Sequence, residues 1–200
     1  MLKWKLSDFD IFAVSSGPGS FTGIRVAVNT GKSYAYVHQK PLVGITSLDC
    51  LAQQNLPSVM AEAKNSSEKI TSIFCMINAY KNMVYYASYS ITDQGELTQS
   101  HEPFVIPVKD LHTLIKAHTW VVGDGYITYE KYFSPEIKNI MHRPSKPEDF
   151  PMASCLGQLA YLKFLNEKNS TTFEWNLFTP LYLRASEAEE NKKGILYSPL

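Results

Sequence analysis

The sequence predicts an α/β fold in two lobes, and three features predict it. A strand, a glycine turn, a long helix and a second strand follow one another within Asp10–Thr46. That is the βαβ signature of a parallel sheet with a right-handed crossover. Beyond Ile70 the pattern changes to β-branched and aromatic runs arranged as a hairpin. A clear amphipathic helix follows at Met152–Asn166. The chain has 200 residues, 44% of them apolar, enough for one domain or two small lobes with a core.

The elements follow in chain order. Asp10–Ser16 (DIFAVSS) is an apolar run with no helical period that stops at Gly17-Pro18-Gly19, so it reads as a buried strand. Ser20 is placed to cap a helix running to His38. Pro41 follows, then Leu42–Thr46 as a second buried strand, and Ser47 opens a short helix, Leu48–Gln54. Asn55–Ile70 is polar and small and reads as a link between lobes. The expected division is residues 1–68 for the first lobe and 69–200 for the second, the extreme C-terminus being able to return to the first.

In the second lobe, Thr71–Asn78 and Met83–Ile91 read as a hairpin, with a turn at Asp93–Glu96 and a strand near His101–Ile106. Val108–Ala117 has Val108, Leu111, Leu114 and Ile115 on one helical face. Trp120–Val122 is a strand that ends in Gly123-Asp124-Gly125, and Pro144–Pro151 is punctuated by prolines. The helix Met152–Asn166 turns Met152, Cys155, Leu156, Leu159 and Leu165 toward a core.

Charge and titratable residues narrow the chemistry. Lysine plus arginine equals aspartate plus glutamate at 19 each. A chain that holds RNA alone usually carries a basic stripe that releases counterions from phosphates. The densest basic cluster is Lys192–Lys193, so contact with RNA is expected only through partners. Cys50, Cys75 and Cys155 show no CxxC spacing and read as reduced core thiols. With no apolar run of membrane length, a cytosolic setting is expected. His38, His101, His112, His118 and His142 contain no i, i+4 pair, and no Ser-His-Asp order can be argued. Neither a metal centre nor a hydrolytic site is expected.

Gly17–Gly23 (GPGSFTG) lies between a strand and a helix. Glycines there allow a sharp turn, and a helix start offers backbone N–H groups to an anion. Gly17, Gly19, Ser20 and Gly23 are therefore candidate nucleotide or phosphate contacts, or else a turn and cap alone. The Walker pattern GxxxxGK[ST] and the GxGxxG spacing are both absent.

As a string, Gly17–Arg25 (GPGSFTGIR) resembles the signature of the bacterial TsaB (YeaZ) family. Pro41–Leu48 (PLVGITSL) is similar to that family's next strand and helix start. Weaker similarities lie at Asn78-Ala79-Tyr80-Lys81, where the family shows an Asp-Ala-Arg-like hairpin, at Gly123-Asp124-Gly125, at Pro151-Met152-Ala153 and at Pro180–Arg184 (PLYLR). The resemblance implies an actin-like ATPase fold of the ASKHA type, related to sugar kinases and Hsp70. It also implies a non-catalytic scaffold that binds TsaD, the subunit that transfers threonylcarbamoyl to the tRNA adenosine beside the anticodon. TsaE joins the larger complex, where ATP or ADP binds; homodimerisation is the other association it implies, and tRNA is reached only through the complex. Such chains open with further strands and a helix bearing an Asp-Thr-Ser loop ahead of the position of Met1. The first lobe is therefore expected to be truncated at its N-terminus, and the 200 residues not to be stable and functional unaided.

The helix Ser20–His38 is the expected partner surface. Phe21, Ile24 and Val28 are placed to face the sheet, while Val26, Tyr34, Tyr36 and Val37 leave the other sides apolar. Ala27 and Gly31 are read as allowing another helix to approach, with Thr30 beside them. Burial beneath an N-terminal helix of the same chain is the competing explanation. Two alternatives to the scaffold stand: a nucleotide-dependent enzyme of the sugar-kinase type using Gly17–Gly23, and a truncated, non-functional product.

Overall fold

The computed structural model describes residues 3–64, 70–167, 173–185, 189 and 192. The tail Glu187–Lys193 (EAEENKK), read from the sequence as a solvated segment, lies almost wholly outside them.

The first sheet is two-stranded. β1 (Phe12–Gly17) pairs in parallel with β2 (Leu42–Thr46), from Phe12 opposite Leu42 to Gly17 opposite Thr46, with a bulge between Ser15 and Gly17. The crossover is α1 (Phe21–His38), started where the Ser20 hydroxyl accepts from Gly23 N–H at 3.3 Å. It ends at Gln39, which takes the left-handed conformation (φ 52°) and donates its N–H to the last carbonyls. Ile24, Val28 and Ala35 of α1 pack on Val14 and Leu42. The opposite face of the sheet, Val43 and Ile45, is covered by Leu156, Leu159 and Ala160 of α5 (Ala153–Asn166).

The second sheet has five strands in the order β5-β4-β3-β6-β7. β3 (Ser72–Asn78), β4 (Met83–Ile91) and β5 (Leu97–Pro107) form an antiparallel meander. β6 (Thr119–Val122) and β7 (Met141–His142) add in parallel on the other side of β3. Period-two alternation supplies both faces. Phe74, Met76 and Val121 point to Leu111, Tyr129, Phe133 and Ile137. Ile73, Cys75, Trp120 and Val122 point to α2 (Ser47–Ala63). Two short helices, α3 (Asp124–Tyr129) and α4 (Pro135–Ile140), make the crossover between β6 and β7.

Four expectations are corrected by these elements. α2 does not stop at Gln54 but continues to Ala63 through Pro57. A proline inside a helix costs about 3 kcal/mol. Burial of Leu56 and Val59 on the second sheet, worth about 1.5–3 kcal/mol each, offsets it. Val108–Ala117 is not an α-helix. Only Val108–Thr113 is helical, as a 3-10 turn, because His112 Nδ1 and Thr113 Oγ1 engage the carbonyls of Lys109 and Asp110. In α5 the buried stripe is Cys155 and Ala160 with Leu156 and Leu159 against it; Met152 and Leu165 lie toward solvent, since the helix meets the sheet along its first turns and middle. β5 also begins at Leu97, ahead of the expected His101.

α2 is further tied to the segment that leads into α5. Gln54 Nε2 donates to the carbonyls of Glu148 and Phe150 (3.0 and 2.9 Å), and its Oε1 accepts from Met152 N–H. Asn55, buried at 1% exposure, donates to the Glu148 carbonyl and accepts from its N–H, both at 2.9 Å. Asp149 accepts from Gly123 N–H and pairs with Arg143 at 2.6 Å, which locks the same segment to the end of β6.

Candidate functional site

The glycine loop and α1 meet the second lobe at a cleft of about 380 Å³. Gly19, Ser20 and Thr22 line one side, and Asn78, Tyr80 and Arg184 the other. Of the four predicted loop contacts, Gly17 and Ser20 have structural tasks. Gly17 has φ +106°, and a Cβ there would lie 2.9 Å from the Leu181 carbonyl, so only glycine fits. Ser20 caps α1. Gly19 meets nothing within 4 Å of a built Cβ, and Gly23 meets only Ser20 at ordinary contact distance, so neither is required by crowding.

The opposite wall is the β3–β4 turn. Tyr80, Lys81 and Asn82 are all left-handed, with φ of 57°, 49° and 60°. This is an unfavourable run for residues other than glycine. Asn78 Oδ1 accepts from Tyr80 N–H at 2.8 Å and from the Tyr129 hydroxyl at 3.1 Å. The Arg184 guanidinium donates to the Ala79 carbonyl and, at 3.4 Å, to that of Tyr80. Nearby, burial raises the Asp124 carboxyl above the usual range, while the N–H of Asn78, 3.0 Å away, pulls it down. The sequence singled out Asn78–Lys81 and Pro180–Arg184 only as points of family resemblance; neither the left-handed run, which holds no glycine, nor the Arg184 bond to it was read from them. Tyr86 and Tyr89 of the hairpin are core residues, while Tyr80 is largely exposed.

The outward side of α1 is the second candidate surface. Val26 and Val37 are 62% and 68% exposed, and with Thr30 and Ser33 they follow the four-three-four spacing of one helical ridge. Tyr34 and Tyr36 flank it, Tyr34 beside Phe12 and Tyr36 edge-on to Trp175 at 5.0 Å. Gly31 and Ala27 face inward. A Cβ on Gly31 would meet Leu42 at 3.1 Å and Val14 at 3.5 Å, so its smallness admits the chain's own strands rather than a foreign helix. Ala27 packs beside Val14 and Val28.

The thiols are poor nucleophiles. Burial pushes Cys50 up to about 12, and it raises Cys75 and Cys155 as well. Among the described residues no group of three or more His, Cys, Asp or Glu is placed to hold a metal ion, and no helix is long and apolar enough to cross a membrane.

The chain matches the TsaD family, tRNA N6-adenosine threonylcarbamoyltransferase, over residues 1–192. It is 30% identical over 150 residues to the tRNA threonylcarbamoyladenosine biosynthesis protein TsaB of Buchnera aphidicola subsp. Schizaphis graminum, covering 72% of this chain and 67% of that one. The chain belongs to the TsaB (YeaZ) family. TsaB of Haemophilus influenzae is 26% identical over 187 residues, 90% of this chain and 72% of the relative. A crystal structure from Pseudomonas aeruginosa, described as similar to the peptidase YEAZ, superposes with a TM-score of 0.67 at 25% identity over 90% of this chain and 76% of that chain. YeaZ from the same organism gives 0.66 at 24% identity, with the same coverage. Membership in TsaB brings the actin-like fold with it, and both sheets described above contain strands joined by parallel crossovers.

Proposed function

We propose that this chain is a non-catalytic scaffold subunit of tRNA threonylcarbamoyladenosine synthesis, which binds TsaD and holds it in a state competent for threonylcarbamoyl transfer. The observation that carries the reading is the outer ridge of α1. Val26, Thr30, Ser33 and Val37 form a continuous, uncharged and exposed strip on the helix that follows the family's signature loop. Helices docked along such strips bury apolar area while small side chains keep the axes close. TsaD is the occupant that the family resemblance implies, a second copy of the chain is the rival, and TsaE, ATP or ADP and tRNA enter through the assembled complex. A cytoplasmic location goes with this role.

The loop itself supports the same reading. Gly17 is used for packing and Ser20 for capping, which favours a turn that launches α1 over a phosphate cradle. Co-purification with TsaD tests the proposal. Val37→Asp is expected to abolish it while the chain stays folded, because Val37 touches mainly solvent in the free chain. Unchanged recovery of TsaD with the folded variant would remove the ridge from the interface.

A further inference from the structure

The last described stretch of the chain makes contacts on both sides of the cleft. Leu181 donates its N–H to the Ser16 carbonyl at 2.8 Å, next to the glycine loop. Tyr182 lies against Phe21, ring centroids 5.2 Å apart, and its hydroxyl accepts from Arg25 Nε at 3.2 Å. The Arg25 guanidinium in turn sits 4.2 Å over the Phe21 ring, so the first turn of α1 is clasped by a cation and two rings. Two residues on, Arg184 reaches the other lobe and donates to the carbonyls of Ala79 and Tyr80.

Those two carbonyls belong to the turn in which Tyr80, Lys81 and Asn82 are left-handed. Such a run persists only where its surroundings over-determine it. Within the turn, Met83 N–H donates to the Tyr80 carbonyl at 3.0 Å, and Val108 N–H donates to the Asn82 carbonyl at 2.9 Å. Arg184 brings a contact from outside the second sheet and its flanks, and it comes from a segment anchored on β1 and α1.

We infer that Leu181–Arg184 is an interlobe strap. Arg184 is its positioning residue, coupling the shape of the β3–β4 turn to the first turn of α1. Release of the guanidinium frees the turn at one end and loosens the clasp on Phe21 and Arg25 at the other. On the reading of α1 as the docking helix, the strap sets how that helix is presented. The coupling itself does not depend on that reading.

Hydrogen exchange on the free 200-residue chain tests it. In Arg184→Ala the amides of Tyr80 and Met83 are expected to exchange about tenfold faster or more, as loss of a charge-assisted hydrogen bond implies. Gly23 and Leu181, bonded to Ser20 and Ser16, are expected to accelerate with them, while β4 amides keep their protection. Acceleration confined to the turn, or none, overturns the coupling. Tyr182→Phe, which keeps the ring contact and loses the hydroxyl that accepts from Arg25, weakens the clasp from its other end. A smaller acceleration at Gly23 and Leu181 is expected to be accompanied by acceleration at Tyr80 and Met83, and acceleration confined to Gly23 and Leu181 overturns the coupling. Should Arg184→Ala unfold the chain, Arg184→Lys gives the same test: intermediate acceleration in both segments supports the strap, and none overturns it. Since no TsaD is present, a failed Val37→Asp experiment would refute the docking ridge and leave this result standing.

Discussion

Gly17→Ala is the perturbation that most directly separates a structural from a ligand-binding role for the family's signature loop. Gly17 sits at φ +106°, where a side chain costs about 1–3 kcal/mol. The added Cβ would lie 2.9 Å from the Leu181 carbonyl and 3.0 Å from Ile24 Cδ1. The first neighbour is backbone, held by the Leu181 N–H bond to Ser16, so it cannot simply swing aside. Overpacking of this kind costs a further ~1–3 kcal/mol. Reduced freedom of the unfolded chain returns about 0.4–1 kcal/mol. The net expectation is a loss of about 3 kcal/mol, or a melting temperature lower by roughly 6–12 °C for a chain of this length. Gly19→Ala and Gly23→Ala, which meet open space and ordinary contact, are expected to melt within about 2 °C of the parent, the change usual for exposed sites. Thermal unfolding followed by circular dichroism reads all three. If Gly17→Ala melts with the parent, or if all three fall equally, the packing account of the loop is wrong.

Two further outcomes follow from contacts around the second sheet. Asn55→Ala removes the paired bonds to both backbone groups of Glu148 and leaves them without that partner. A loss of about 2–3 kcal/mol in urea denaturation is expected, and a loss under 1 kcal/mol would mean that Asn55 does not tie α2 to this segment. Asp124, whose carboxyl is raised on folding chiefly by burial, binds its proton more tightly in the folded than in the unfolded chain. Its contribution to stability is therefore present below the ordinary aspartate range and is lost as pH rises through the raised folded value. Asp124→Asn should shift the urea midpoint upward at neutral pH, with the gain shrinking toward acid; a gain that is constant with pH would refute the assignment.

The parts that were legible in the sequence are those set by local pattern. The β1–α1–β2 unit follows from an apolar run, a glycine turn, a capping serine and Pro41, all within a short span. The β3–β4 hairpin follows from β-branched and aromatic alternation. What stayed hidden depends on contacts made far along the chain. The second half of α2 looks like a linker because Pro57 and small polar residues dominate it, and only the facing sheet shows why Leu56 and Val59 keep it helical. β5 starts early because Leu97–Glu102 pairs as an edge strand with exposed side chains, which leaves no apolar signal. Gly31 looks available to a partner until Leu42 and Val14 are placed beneath it. The cleft wall was marked only by family resemblance at Asn78–Lys81 and Pro180–Arg184; its geometry had no local signal, since three left-handed residues without a glycine are held by an arginine about a hundred positions away.

The arrangement of helices bears on how α1 is presented. α2 follows β2 in the chain yet buries its apolar face on the five-stranded sheet, and α5 follows β7 yet covers β1 and β2. Each sheet is thus closed on one side by a helix that extends from the other. Gln54 and Asn55 fasten this exchange by binding the backbone at 148–152, and the strap at Leu181–Arg184 adds a tie across the cleft. Hinge closure about a ligand needs few bonds crossing between the parts that move. Here the crossings include the apolar faces of α2 and α5 together with polar ties at both ends of the interface. A surface carried by such a body loses little freedom on docking, which favours a helix offered ready-made to a partner over a cleft that opens and closes.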